Sequence, residues 1–550
     1  MIDSAALRQR FATVPADIAA GLVGAVAGAP QAMGFALVAG VAPVYGLYAA
    51  VVAVIVGALT SSSRYMTIAP TNALVLVVFS ALDGGTQPIE KLFTLTLLVG
   101  GFQLAAGLLR LGGLTRFVSN AVMTGFITGA GLLIILGQLP HLTGYEPRGA
   151  GPLPRLWDWL VHLPQSHPQT LVIGVAAIII IAGLHRTRFK SVATLVALVV
   201  TTVFVLAAGW DEVAIVRDMD PIPAGLPAPA LPDLNHAPGL LPAALALALL
   251  GLVQSAALTQ AVREPDGSAP NTNRDFAAQG LANIVASFFQ ALPSAGSLSR
   301  TAVNISAGAK TRLANLLAGV FVLLILLALG TVIEQITLAA LAGHLVVAAF
   351  SLFNRQAIAL VWRVHWGGRV ALIATFVSTL LLPLEQSVYV GVALSLALYA
   401  YTSANEVRVT TLIPIEGHRF REVPLPQRLP PGGMIIFSVT GSLYFAAVRR
   451  LENMLPLPDS AGGTVVILRL RGQIHLGSTG IGFLRRYADL LRASGGDLLL
   501  AGISPELDAE LRRTGMAAYL GDDHIFVATD IYFEATEQAL RRAQRLTSRA

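Results

Sequence analysis

Up to about residue 405 the chain alternates long apolar blocks with short polar breaks; beyond it the blocks shorten and change period. A membrane-spanning helix needs about twenty apolar residues, and by that ruler about fourteen segments fit before residue 405. The pattern predicts helices over 17–29, 32–59, 71–82, 92–109, 118–139, 171–184, 192–208, 241–262, 276–292, 313–333, 336–353, 370–382 and 388–401, with Pro30–Gln31 cutting the first one short. From Val407 onward, 434–440, 464–470 and 497–501 read as buried strands. Amphipathic spacing at 443–455, 480–493, 505–514 and 531–544 reads as helices, and strands alternating with helices predict a small α/β sheet domain. The chain accordingly divides into a short cytoplasmic N-terminal segment (1–14), a transmembrane domain (15–405), a linker leading into the soluble part (406–433) and the soluble domain (434–550).

One block departs from the rest. Residues 291–312, ALPSAGSLSRTAVNISAGAKTR, are too polar and too interrupted for an ordinary spanning helix. Pro293 and Gly296 break the backbone; Ser297, Ser299 and Arg300 then open a helical run that should end near Lys310. At membrane depth, broken backbone survives only where it is buried in protein or lines a watered cavity. A helix that begins there aims its unpaired N–H groups and about half a positive charge into the cavity, which is the chemistry of an anion seat. A second broken segment at 61–82, interrupted by Pro70, stands third in its group of about seven just as 291–312 does. Paired breaks at corresponding places point to an inverted-repeat transporter with a midplane site; the plainer alternative is that these prolines only kink packed helices.

Composition agrees with a membrane protein. Of 550 residues, 55% are hydrophobic and 12% charged, with a mean hydropathy of +0.69. Soluble domains carry about a quarter charged residues. The net charge of +6 comes from cations scattered singly or in pairs between apolar blocks, which argues against a nucleic-acid partner. No cysteine is present, so disulfides, thiolate metal sites and cysteine nucleophiles are excluded together. The first apolar run carries no signal-cleavage pattern and reads as a resident spanning helix. Alternate loops hold Arg64, Arg110 with Arg116, Arg186 with Arg188 and Lys190, Arg263 with Arg274, Lys310 with Arg312, and Arg355, Arg363 and Arg369. The opposite loops hold only Lys91, Arg148, Arg155 and Arg217, and the positive-inside rule then places both termini in the cytoplasm of a cell whose inner membrane the chain crosses many times. No metal-ligand spacing, nucleophile elbow, phosphate-cradling loop or paired acidic motif occurs, so no enzyme and no cofactor is expected.

The stretches DIAAGLVGAVAGAPQAMGFALVAGVAPVYGLYAA (17–50), SSSRYMTIAPTNA (61–73) and GSLSRTAVNISAGAKTRLA (296–314) resemble the signature regions of the sulfate permease family, the bacterial and plant relatives of the anion exchangers pendrin and prestin. The soluble end resembles the STAS domain of those proteins, through VVILRLRGQIHLGSTG (465–480) and LLLAGISPELDAELRRTG (498–515). What the resemblance implies is a polytopic α-helical protein with a seven-plus-seven inverted repeat split into core and gate, a cytoplasmic STAS domain, and a homodimer. Carried over residue by residue, the implied anion site falls on Gln31 and Phe35, on Thr71 and Asn72, and on Ser297, Leu298, Ser299 and Arg300.

Each of these residues has a plainer alternative. Arg300 could snorkel to the surface, although it stands about 15 Å of helix before Lys310, and an ionisable residue inside a membrane is a functional candidate by default. Gln31 could join two helices, Phe35 could be packing, and Ser297, Ser299 and Thr71 could be helix caps. His344 reads as a packed or pore-edge residue. Many members of the family carry an acidic residue near the site in the eighth segment; here LLGLVQSAALTQ (249–260) places Gln254 there, an amide that cannot titrate. Ser478 falls where STAS-type regulators carry a phosphorylated serine, with a helix cap as the alternative reading. The expectation is a secondary transporter of sulfate, bicarbonate, chloride or a small dicarboxylate, working by elevator-like movement. The alternatives are a proton- or sodium-coupled symporter of the same fold, a nucleobase permease, or a membrane-anchored regulator whose STAS domain binds a cytoplasmic partner.

Overall fold

The computed structural model describes residues 4–82, 88–113, 118–149, 151–187, 189–223, 225–262, 264, 267–268, 270–364, 366–416, 419–458 and 462–548. Arg116, Arg188 and Arg263, named above among the inner cations, lie outside the described residues. Two compact units divide between Ser395 and Leu396.

The first unit is helical. Its elements are α1 (Ser4–Val38), α2 (Pro43–Thr60), a two-residue strand β1 (Ile68–Ala69), α3 (Asn72–Leu82), α4 (Pro88–Leu108), α5 (Asn120–Thr143), α6 (Pro152–Val161), α7 (Pro168–Leu184) and α8 (Ala193–Ala208). The second half adds α9 (Ala237–Ala261), α10 (Thr272–Phe288), strand β2 (Ala295–Gly296), α11 (Leu298–Ser306), α12 (Leu313–Ile333), α13 (Leu338–Phe350), α14 (Arg355–Val364), α15 (Trp366–Leu381) and α16 (Leu384–Asn405). Among the described residues, eight helices are long and apolar enough to cross a membrane, and α3, α7, α8 and α15 are shorter apolar helices. Adding α10 and the β2–α11 pair gives the expected fourteen segments.

Packing reveals the repeat. Helix α3 packs on α9 while α11 packs on α1; α4 packs on α9 and α10 while α12 packs on α1 and α2; α5 packs on α15 while α13 packs on α7. Each of these contacts has its counterpart when α1, α2, α3, α4, α5 and α7 are exchanged for α9, α10, α11, α12, α13 and α15. Seven crossings per half is an odd number, so the second half enters the membrane from the opposite side and the repeat is inverted.

Three expectations need correction. Pro30 does not end the first helix: α1 runs through it to Val38, because a membrane bundle re-satisfies the carbonyl that a proline leaves free. The stop comes at Gly40, whose φ of 76° suits the left-handed cap, followed by Pro43 at the start of α2. The run opened by Ser297 ends at Ser306, short of Lys310. Helices α6 and α14, ten residues each, were not expected. Their Trp157, Leu160, Trp362 and Val364 side chains are exposed, as suits helices lying in a membrane interface.

Helix α10 is polar for a full-length span, with Asp275, Gln279, Asn283 and Ser287 all fully buried. It can be polar because its neighbours α4, α2 and α9 enclose it. Glycines make the α4–α10 approach close: a Cβ on Gly280 would stand 2.3 Å from the Leu104 nitrogen, and one on Gly107 would stand 2.4 Å from that of Ala277.

The second unit is a six-stranded sheet in the order β4-β3-β5-β6-β7-β8. Strands β3 (Arg408–Ile415) and β4 (Arg419–Val423) form an antiparallel hairpin, followed by β5 (Met434–Thr440), α17 (Phe445–Met454), β6 (Val465–Arg469), α18 (Gly477–Ala493), β7 (Asp497–Ile503), α19 (Pro505–Arg513), α20 (Met516–Leu520), β8 (Ile525–Val527) and α21 (Glu534–Thr547). The segment 406–433, expected as a linker, thus contributes two strands; their mixed polarity hid them, since β4 is RFREV with no buried residue. Alternation sends Val466, Leu468 and Leu470 toward α17 to α20 and Val465 and Ile467 toward α21. At one sheet edge the His524 ring lies 2.7 Å from Asp497 Oδ2 and 2.8 Å from Asp523 Oδ1.

Two outcomes follow. Gly280→Ala forces two backbones apart and should cost about 1–3 kcal/mol, read as a lower Tm, whereas Gly101→Ala, which meets no atom within 4 Å, should leave Tm unchanged. The hydrogen bond that His524 makes to Asp497 raises the His524 pKa against burial, which works to lower it. For Asp497, burial works to raise the pKa, but His524 prevails and holds it below the usual carboxylate range. The His524 contribution is therefore full below the ordinary imidazole value and lost as pH rises through the raised one; the Asp497 contribution is full above the ordinary carboxylate value and lost as pH falls through the depressed one. Hydrogen-exchange protection over 497–503 and 522–527, taken relative to the intrinsic rate at each pH, should be greatest between about pH 4 and 6.5, and His524→Gln should flatten the alkaline side.

Candidate functional site

The two breaks meet. Strands β1 and β2 pair antiparallel, Ile68 opposite Gly296 and Ala69 opposite Ala295, and the Ser297 N–H extends the ladder by donating to the Thr67 carbonyl at 2.9 Å. Each strand feeds its own helix almost at once, so opposite strand directions send α3 and α11 away from each other. Their N-termini then face a common region across the ladder, and both dipoles end there positive.

A two-residue ladder cannot hold itself, and side chains from four other helices complete it. On one side, Thr67 N–H donates to Thr301 Oγ1 at 3.0 Å, and Thr67 Oγ1 donates to Asn315 Oδ1 at 2.6 Å. Asn315 Nδ2 donates to the Tyr65 and Met66 carbonyls at 3.2 and 3.1 Å. On the other, Gly296 N–H reaches Ser255 Oγ at 3.0 Å and Gln279 Oε1 at 3.2 Å. Asn283 both donates to the Ser294 carbonyl and accepts from the Ser294 N–H at 2.8 Å, and it donates to Gln103 Oε1 at 2.7 Å. Sequence reasoning missed Gln103, Ser255, Gln279, Asn283 and Asn315. The available signal was an amide or hydroxyl set in an otherwise apolar helix.

The expected site residues gather around this ladder with one exception. Gln31, in α1, donates from Nε2 to Ser299 Oγ at 3.3 Å. Thr71 receives the Leu74 and Val75 N–H groups on its carbonyl and turns its hydroxyl to Gln254 Oε1 at 3.0 Å. These two contacts mirror each other: Gln31 stands seven residues before the end of α1 at Val38, Gln254 seven before the end of α9 at Ala261. Each amide meets a hydroxyl at the start of the other half's broken helix. Asn72, the first residue of α3, is half-buried. Ser297 is the cap of α11: its Oγ accepts the Arg300 N–H at 3.4 Å and lies 3.3 Å from Ser299 Oγ. Residues 291–297 are buried, while Leu298 and Ser299 are exposed, so the first turn of α11 borders open space. The exception is Phe35, which is fully within the apolar core.

Arg300 is 5% exposed. Its guanidinium lies over Gly28 of α1, where a Cβ would stand 2.0 Å from Nη1 and 2.2 Å from Nη2. Among the described residues no carboxylate forms an ion pair with it. Electrostatically the region combines two helix N-termini with one uncompensated cation and contains hydroxyl and amide groups able to replace hydration. His344 stands apart, its Nδ1 3.1 Å from Thr194 Oγ1 on α8.

In the second unit Ser478 is exposed in the first turn of α18 and does not cap it. Glu510 does, its Oε1 accepting from Gly477 N–H at 2.8 Å and Oε2 from Leu476 N–H at 3.3 Å. A carboxylate from α19 thus replaces the serine cap considered above.

Comparison with known proteins gives consistent results. The sulfate permease family pattern matches residues 15–375 and the STAS domain pattern residues 427–530. The chain is 28% identical over 539 residues to the probable sulfate transporter 4.2 of Arabidopsis thaliana, covering 93% of this chain and 79% of that one. It is 26% identical over 515 residues to the putative sulfate transporter YvdB of Bacillus subtilis, covering 93% and 95%. Its fold matches that of the murine Slc26a9 anion transporter solved in an inward-facing state, with a TM-score of 0.84 at 20% identity over 97% of this chain and 92% of that one.

Asn283→Ala removes three hydrogen bonds and strands the buried Ser294 backbone groups. It should destabilise the first unit by about 3 kcal/mol or more, measured as a lower Tm of the purified protein.

Proposed function

This chain belongs to the sulfate permease family, a family of membrane anion transporters, and from that premise we propose that it holds one small anion between the N-termini of α3 and α11. The observation that carries the reading is the antiparallel β1–β2 pairing, which turns both half-helices amino-end inward. On this reading the first-turn N–H groups at Thr71–Asn72 and Leu298–Ser299 receive the anion, the hydroxyls of Ser297 and Ser299 and the amide of Gln31 replace lost water, and Arg300 supplies the charge. Phe35, on α1, belongs to the apolar packing that backs these groups. The substrate class is sulfate, bicarbonate, chloride or a small dicarboxylate.

Transport is by elevator-like alternating access, the core of α1–α4 and α9–α12 moving past the gate of α5–α8 and α13–α16. The protein works as a homodimer in the inner membrane with both termini in the cytoplasm, as the cation distribution supports. Gln254 sets the coupling. A carboxylate there could take up a proton or sodium ion; an amide that accepts from Thr71 cannot, so the anion moves without a cation bound at this position. That also disfavours a nucleobase permease, which needs a carboxylate to recognise its base. Ser478, exposed and free of capping duty, is the hydroxyl open to regulatory phosphorylation.

Counterflow in proteoliposomes with sulfate, bicarbonate, chloride and fumarate identifies the anion. Arg300→Ala should weaken its binding about tenfold or more. Gly28 supplies the room for the guanidinium, and Gly28→Ala displaces only the end of a flexible side chain, so it should impair flux while leaving Tm nearly unchanged. Wild-type flux should vary little between about pH 6 and 8, whereas Gln254→Glu should make it rise as pH falls, because an ionised carboxylate repels the anion and a protonated one does not. Wild-type uptake that stops without a proton or sodium gradient would contradict the uncoupled reading, and absence of any anion flux would favour the membrane-anchored regulator.

A further inference from the structure

The second unit contains a buried cation that has no counter-ion among the described residues. Arg469, the last residue of β6, is 5% exposed. Its guanidinium carbon lies 5.0 Å from the ring centre of Tyr532 and 4.9 Å from that of Phe533, in the segment that leads into α21. Nη1 donates to Ser438 Oγ of β5 at 3.3 Å. Nε and Nη2 are buried, and among the described residues no group accepts a hydrogen bond from them and no carboxylate pairs with the side chain. A second guanidinium, Arg471, stands 4.6 Å from the same Tyr532 ring. It donates to the Tyr532 carbonyl at 2.9 Å and the Thr529 carbonyl at 3.4 Å. Two cations therefore share one aromatic ring, and among the described residues neither forms an ion pair.

The unpartnered atoms have a specific geometry. Nε and Nη2 lie side by side on one edge of the guanidinium, and their parallel N–H bonds match two oxygens of a single oxyanion. Ring stacking compensates part of the charge but supplies no acceptor for these N–H groups, and burying them unpaired is costly.

We propose that the Nε–Nη2 edge of Arg469, flanked by Ser438, Tyr532 and Phe533, binds one small oxyanion, with Arg471 adding long-range attraction. Two parallel donors suit an anion with two oxygens on one centre, the class of sulfate, phosphate, bicarbonate or a short carboxylate. Bound there, the anion would tie the 529–533 segment to the sheet. The site is separate from the seat proposed in the first unit and does not rest on that reading.

The test is hydrogen exchange by mass spectrometry on the full chain, following 465–470 and 529–533 while sodium sulfate is titrated against sodium chloride at equal ionic strength. Sulfate should slow exchange of 529–533 saturably, by about tenfold at plateau, in the wild type and equally in Arg300→Ala. Chloride should not. Arg469→Met, which keeps the stem and removes the fork, should abolish the effect; if it perturbs exchange elsewhere, Arg469→Lys, which keeps the charge without the fork, takes its place with the same expectation. Phosphate and fumarate arms distinguish an inorganic from an organic oxyanion. Equal, unsaturable protection by both salts, no protection by any oxyanion, or protection that survives loss of the fork would overturn the proposal.

Discussion

Backbone N–H and C=O groups cannot be left unpaired in hydrocarbon, and the first unit is arranged around satisfying them at two deliberate breaks. The solution is a ladder of two residues from each half, Ile68–Ala69 against Ala295–Gly296. So short a ladder needs outside help, and Asn283, Asn315, Ser255 and Gln279 each give hydrogen bonds to it or to its flanking residues. This explains why α10 is so polar for a span and why it is enclosed by other helices. Once the ladder is fixed, the direction of the two half-helices follows, and with it the positive region between their N-termini.

The distribution of acids reinforces that charge. Two carboxylates are buried in the first unit close to the broken segments, yet both are engaged by backbone at the ends of the polar links. Asp17 accepts from the Lys310 and Thr311 N–H groups at 2.7 and 3.0 Å. Asp275 accepts from the Ser62 N–H at 2.6 Å. Neither pairs with Arg300. Where the mirror symmetry of the halves brings an amide to each half-helix, Gln31 and Gln254 both stay neutral over the accessible pH range. The site therefore keeps one sign of charge throughout, as an anion seat requires.

Much of this was legible in the sequence because hydrophobic block length and proline placement are direct consequences of bilayer thickness. The count of spans, the paired breaks and the α/β nature of the second unit all follow from such patterns. The two breaks were legible, but what joins them, a strand pair of two residues, is too short to leave a period-2 signal. Pro30 misled because its usual effect in water does not carry over to a packed bundle, and Phe35 shows that a family position does not fix whether a side chain lines an opening or packs. Strand β4 was hidden by its exposure, and Glu510 capped a helix that its own serine seemed suited to cap; both depend on neighbours far away in sequence.

An anion resting between the two amino ends can be seen with selenate diffused into crystals of the protein and data collected at the selenium edge. An anomalous peak is expected within hydrogen-bonding reach of the backbone nitrogens near Thr71 and Ser299. A well-occupied selenate elsewhere in the first unit, with that region closed by dry packing, would rule the seat out.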